Sequence, residues 1–182
     1  GDVYIGGGWK TYLVGGLRAG GKSIYVLDVS DPNNFTATNV KWEFSYSPSS
    51  SNPRHDLGLT FGQPQIAAVN ATQWAAIFGN GYNSASEKAF LYIVDLSNGS
   101  LIAKVATNND TSNGLSTPFP FDEDGDGIVD VIYAGDLQGH LWKFEKDSLG
   151  NWVLGNKGDP LFTASNDSKQ VQAITTQPKV GN

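Results

Sequence analysis

Ala76-Ile77-Phe78-Gly79-Asn80, then Leu91-Tyr92-Ile93-Val94-Asp95-Leu96, then Leu101-Ile102-Ala103-Lys104-Val105 make a run of three short apolar segments separated by turn residues. Each has the length of a strand, is rich in β-branched or aromatic residues, and is bounded by Gly, Asn, Asp or Ser, which reads as consecutive antiparallel strands. The first two are apolar at nearly every position, so both faces of their sheet are expected to be covered. The third alternates apolar with polar or small residues, as an outer strand with one wet face does.

The same order recurs on either side, at intervals of about sixty residues. Tyr12-Leu13-Val14-Gly15-Gly16 and Ile132-Tyr133-Ala134-Gly135-Asp136 match the glycine-ended strand. Ile24 to Val29 and Leu141 to Phe144 match the second strand, and Val40 to Phe44 and Trp152 to Leu154 match the third. A proline-marked strand precedes the glycine strand at Gln63-Pro64-Gln65-Ile66, Thr117-Pro118-Phe119 and Gln177-Pro178-Lys179-Val180. Proline is tolerated at a strand's start or edge.

Four antiparallel strands per repeat, the inner ones apolar on both faces, describe β-propeller blades. The expected fold is all-β: a partial β-propeller of about three blades plus one extra strand, in a single fragment over residues 1–182. The blades are expected at about 9–50, lacking a clear first strand, at 58–107 and at 113–163, with a lone first strand at 171–182. That number does not close a ring of about 4 to 8 blades, so the remaining blades of a parent propeller are expected partners. The absence of methionine fits an internal or processed fragment. A small self-contained sandwich is the alternative, though its uncapped end repeats would expose apolar edges.

Composition narrows the function. The 182 residues are 39% apolar and 12% aromatic, enough for a real core, and the 22 glycines suit a protein of many turns. Twelve basic against 18 acidic residues, with no basic cluster, argue against nucleic acid or an anionic membrane as partner. No apolar stretch approaches the roughly 20 residues that span a bilayer, so membrane insertion is not expected. Without cysteine there is no disulfide, zinc-thiolate site or thiol nucleophile.

One segment carries chemistry. Asp122-Glu123-Asp124-Gly125-Asp126-Gly127-Ile128-Val129-Asp130 places carboxylates at alternate loop positions, and calcium is a hard cation that takes about six to eight oxygens. The expected ligands are Asp122, Asp124, Asp126, the Ile128 carbonyl and Asp130, with Gly127 making the sharp turn and Glu123 facing solvent. An EF-hand would need a glutamate where Tyr133 stands, inside a strand, so this is a different loop. Four carboxylates on one short loop repel each other unless a cation neutralises them. The ion would hold the hairpin in shape or act as a switch. The bland alternative is a solvated Asp/Gly turn.

Other candidates are weaker. Arg54-His55-Asp56 has no nucleophile setting beside it and reads as a surface loop, and His140 opens an apolar strand as a packed or capping imidazole. Gly15-Gly16 and Gly20-Gly21 lack a following helix for phosphate and read as turn glycines. Trp9, Trp42, Trp74, Trp142 and Trp152 are better placed for packing between blades than for a sugar platform. Asn34, Asn70, Asn98, Asn109 and Asn166 each open an N-x-S/T triplet, expected by chance in so Asn- and Ser-rich a chain.

Taken in order, the pieces resemble the C-terminal propeller of the PilC/PilY family of type IV pilus biogenesis and tip-associated adhesion proteins. The resemblance rests on Leu13-Val14-Gly15-Gly16-Leu17, Ala19 to Lys22, Leu27-Asp28-Val29 with Asp31-Pro32, and Phe78-Gly79-Asn80-Gly81-Tyr82-Asn83-Ser84. It continues through Leu91 to Leu96, Asn113 to Ser116, the Asp loop and Tyr133 to Phe144. It implies a propeller related in shape to the quinoprotein dehydrogenases, without enzymatic activity, located outside the cytoplasm at the pilus tip, cell surface, outer membrane or periplasm. It further implies calcium in the Asp loop, linked to pilus extension and retraction, twitching motility and adhesion. The implied partners are minor or major pilins and a host or abiotic surface. No Arg-Gly-Asp triplet is present, so integrin binding is not implied. The alternatives are a fragment of a calcium- and pyrroloquinoline-quinone-dependent dehydrogenase, or an integrin-like bacterial adhesion propeller.

Overall fold

The computed structural model describes residues 1–108 and 110–181. Three antiparallel sheets follow one another along the chain. The first contains β1 (Asp2–Ile5), β2 (Gly8–Gly16), β3 (Ser23–Asp28) and β4 (Val40–Ser45), in that spatial order. The second contains β5 (Gln65–Asn70), β6 (Gln73–Gly79), β7 (Phe90–Asp95) and β8 (Leu101–Ala106), again in order. In the third, β9 (Phe119–Phe121), β10 (Val131–Gly135) and β11 (His140–Lys146) are followed by an outer position shared by two short strands. These are β12 (Trp152–Leu154), paired with the end of β11, and β13 (Phe162–Thr163), paired with its start.

Alternation along the middle strands explains the packing. Ala76 and Phe78 of β6, with Tyr92 and Val94 of β7, join Val3, Ile24, Val26 and Phe44 of the first sheet in one buried cluster. Their neighbours Ala75, Ile77, Leu91 and Ile93 point the other way and join Ile132, Ala134, Trp142 and Phe144 of the third sheet. A strand sends successive side chains to opposite faces. The second sheet is therefore apolar on both sides because it is packed on both sides. At the first seam Phe44 stands edge-on to Phe78 and Tyr92 at 5.8 and 5.5 Å, geometry worth about 0.5–1.5 kcal/mol per pair beyond burial.

Two boundaries differ from those the sequence suggests. The first sheet does not lack its first strand: Asp2–Ile5 fills that place and starts the sheet seven residues earlier than the expected boundary at about residue 9. It carries no proline mark. What sets it is the Gly6-Gly7 turn, whose φ values of 65° and 81° suit a two-residue hairpin with both central residues left-handed. The lone strand expected at 171–182 is not a strand over its described residues. A strand needs a ladder, and this segment instead lies along the third sheet: Gln172 and Ile174 amides donate to Ala164 and Asp136 carbonyls, and Gln177 Nε2 donates to the Pro118 carbonyl. Asn182, at the end of that stretch, and Asn109, which opens one of the N-x-S/T triplets, lie outside the described residues.

Candidate metal centre

The loop joining β9 to β10 is closed at its base by the Asp130 amide donating to the Phe121 carbonyl, 3.1 Å. Inside it, the carboxylates organise the backbone. Asp122 accepts from the amides of Gly125 and Gly127, each at 2.7 Å, and Asp130 accepts from Glu123 at 2.8 Å. Asp124 and Asp126 accept from the amides two residues on, those of Asp126 and Ile128. Gly125 and Gly127 take φ of 81° and 87°, which any other residue would adopt under strain. Hydrogen bonding, chiefly from the Gly127 amide, holds the Asp122 carboxyl below the usual carboxylate range.

Asp122, Asp124 and Asp130 each offer a carboxylate oxygen within 4.8 Å of the others. Asp126 falls outside that trio, its carboxylate engaged with the Ile128 amide. Glu123 is exposed, as expected. The donor set consists wholly of hard anionic oxygens, Asp124 exposed and Asp122 and Asp130 half-buried, and fits a calcium-type cation better than a thiophilic or imidazole-seeking one.

The loop also touches the neighbouring sheet. Ile128 forms a parallel bridge with Ala68 of β5, and the Val129 amide donates to the Ala68 carbonyl at 2.9 Å. Lys146, at the end of β11, donates to the carbonyls of Val69 and Val129, 2.8 and 3.1 Å. Lys146 was not legible as a site residue, because its partner Val69 is 77 residues away and nothing local marks the pair.

The remaining candidates fall into structural roles. Asp56 of the Arg54-His55-Asp56 turn pairs with Lys104, and His140 sits against the buried Asp136 carboxylate at 3.2 Å. Trp42, Trp74, Trp142 and Trp152 pack at the seams, whereas Trp9 is 70% exposed on the outer face of the first sheet.

The PilY1 beta-propeller domain model matches residues 2–182. The chain belongs to the PilY1 β-propeller family. A type IV pilus biogenesis factor PilY1 homolog of Xylella fastidiosa is 40% identical over 198 residues, covering 96% of this chain and 13% of its own length. The type IV pilus biogenesis factor PilY1 of Pseudomonas aeruginosa strain UCBPP-PA14 is 37% identical over 203 residues, covering 97% of this chain and 17% of its own. The crystal structure of the Pseudomonas aeruginosa PilY1 C-terminal domain superposes with a TM-score of 0.87 at 36% identity, over 98% of this chain and 39% of that one. The chain thus spans less than a fifth of these PilY1 relatives and about two fifths of the solved domain. Membership in the PilY1 family bears out the resemblance to PilC/PilY proteins and the propeller architecture, and takes the place of the quinone-dehydrogenase and integrin-like alternatives.

Proposed function

We propose that this chain is the calcium-binding segment of the propeller in a type IV pilus biogenesis factor acting outside the cytoplasm, at the pilus tip, cell surface, outer membrane or periplasm. The observation that supports the calcium reading is the convergence of Asp122, Asp124 and Asp130 on a loop already folded by its own amides. These three would hold the ion, with Asp126 and the Ile128 carbonyl as further oxygens. Bound calcium would supply the positive charge that offsets the repulsion among the carboxylates. The chain's own part is to keep the oxygens gathered: left-handed Gly125 and Gly127 bend the loop, and the Asp122 bonds fix the bend.

In the whole protein, calcium here would support pilus extension and retraction, twitching motility and surface adhesion, through contacts with pilins, a surface and the remaining blades of the propeller. Calorimetric titration of the chain with calcium should give one site, lost in Asp124→Ala and weakened about tenfold or more in Asp126→Ala. Unchanged uptake in Asp124→Ala would overturn the assignment. In the source bacterium, an Asp122→Ala/Asp130→Ala double variant should alter piliation or twitching.

A further inference from the structure

The two seams between sheets are built differently at the end where the Asp loop lies. At the first seam, the Gly6-Gly7 turn faces the Ala71-Thr72 turn across a cavity of about 400 Å³, floored by Ile5 and Trp74. At the second seam the corresponding connection is the Asp loop, and it crosses the gap.

The crossing has three parts. Between Ala68 and Asn70 the register of β5 against β6 shifts, so Val69 is a bulged residue without a cross-strand partner. A bulge re-aims the backbone locally, and here two successive carbonyls of β5 face the third sheet. The Ala68 carbonyl takes the Val129 amide, and the Val69 carbonyl takes Lys146 Nζ. Lys146 then reaches back to the Val129 carbonyl, so one ammonium grips both sides of the seam. Its position is fixed from behind by the Trp152 ring, 5.1 Å from Nζ to the centroid. Val129 lies directly beside Asp130, one of the three converging carboxylates. Any ordering of Asp130 is therefore one peptide away from the bond to β5.

We propose that Ala68, Val69, Val129 and Lys146 form a clasp through which cation binding in the Asp loop tightens the seam between the second and third sheets, with Lys146 as the positioning residue. The proposal rests on the calcium reading given above. Coupling of this kind is reciprocal: if calcium stabilises the clasp, the clasp strengthens calcium binding by the same factor. The Lys146 charge itself opposes a nearby cation, so the two effects have to be separated. At roughly 0.15 M salt the Debye length is about 8 Å, too long to screen an ammonium bonded one residue from Asp130, but losing that charge alone would raise calcium affinity, so a fall on its removal reports the backbone effect.

The test is hydrogen exchange of the full chain with calcium and with a chelator, in that salt, read in peptides covering 65–70 and 128–131. Calcium should slow exchange in both peptides of the wild type and leave residues 1–16, at the first seam, unchanged. In Lys146→Met, which keeps an unbranched stem against Trp152, protection should stay confined to the loop, and calcium affinity should fall about tenfold, in the range found when groups behind metal ligands are removed. Lys146→Arg should restore most of both. In Asp124→Ala, calcium should change neither peptide.

The clasp is overturned if wild type and Lys146→Met bind calcium equally and show the same protection over 65–70, or if that protection persists in Asp124→Ala. Absence of calcium binding to the wild type sinks the underlying calcium reading instead, and the proposal with it. These failures are distinguished by the wild-type titration alone.

Discussion

Asp56 pairs with Lys104 across the first connection between sheets, and both side chains are largely buried, 14% and 19% exposed. The ammonium also lies 4.4 Å from the Phe90 ring centroid. Burial would raise the Asp56 carboxyl, but the hydrogen bond and charge of Lys104 and the nearby Ser86 hydroxyl together outweigh it, so its pKa sits below the ordinary 3.8. The stability this carboxylate contributes is fully present above the unfolded-state value and is lost as pH falls through the lower folded value. Asp56→Asn should therefore cost about 2 kcal/mol near neutral pH, less than the roughly 3–5 of a fully buried pair. Its melting temperature should converge with the wild type's in acid, and a constant gap across pH would contradict this account. Nothing in the sequence revealed the pair, for Lys104 reads as the wet residue of an alternating outer strand and Asp56 as part of a surface turn. Burial by another element 48 residues away is not written locally. The Asp loop was legible in composition and spacing, down to the solvent-facing Glu123. The place of Asp126 outside the converging trio was not, for its bond to the amide two residues on is the same kind that Asp124 makes inside it.

Among the elements, the glycine-ended strands were the most readable feature, and the structure gives them a reason. An added Cβ at Gly79, the last residue of β6, would come 2.3 Å from the Ser116 carbonyl oxygen and 2.4 Å from that of Leu115. Those are backbone atoms entering the third sheet, and they cannot swing aside as a side chain does. Gly79→Ala should destabilise the chain by about 2–3 kcal/mol through overpacking of the seam. Gly150→Ala makes a control for strain alone: its φ is 82° but a Cβ there meets nothing within 4 Å, and about 1 kcal/mol is expected. Equal losses in chemical denaturation would contradict the close-approach argument. The strand that reading missed, β1, is short and its signal sits in the turn after it. The strand it over-read, near Pro178, has the residues of a first strand without a ladder to join.

At the scale of the molecule, the middle sheet is covered on both faces and the first on only one. Its other face carries Tyr4, Trp9, Leu13 and Val40, between 42% and 70% exposed, with Tyr4 edge-on to Trp9 at 5.7 Å. We expect the isolated chain to self-associate through this face despite its net charge of -6. Sedimentation should show mass rising with concentration, and Trp9→Lys/Leu13→Glu should return it to monomer. A concentration-independent monomer for the unaltered chain would remove the expectation. Finally, Asn80 donates to the Asp56 and Lys88 carbonyls and accepts from the Phe90 and Leu115 amides, while Gly81 is wedged against the Leu59 carbonyl. Asn-Gly is the sequence most prone to deamidate, by attack of the glycine nitrogen on the amide carbon, and the chain holds three: Asn80-Gly81, Asn98-Gly99 and Asn113-Gly114. Asn80 and Asn113 are buried and bonded in place, so chemical ageing of the folded protein should begin at the exposed Asn98, and peptide mapping after prolonged storage should find isoaspartate there first. Isoaspartate at Asn80 would then serve as a molecular clock for time spent unfolded.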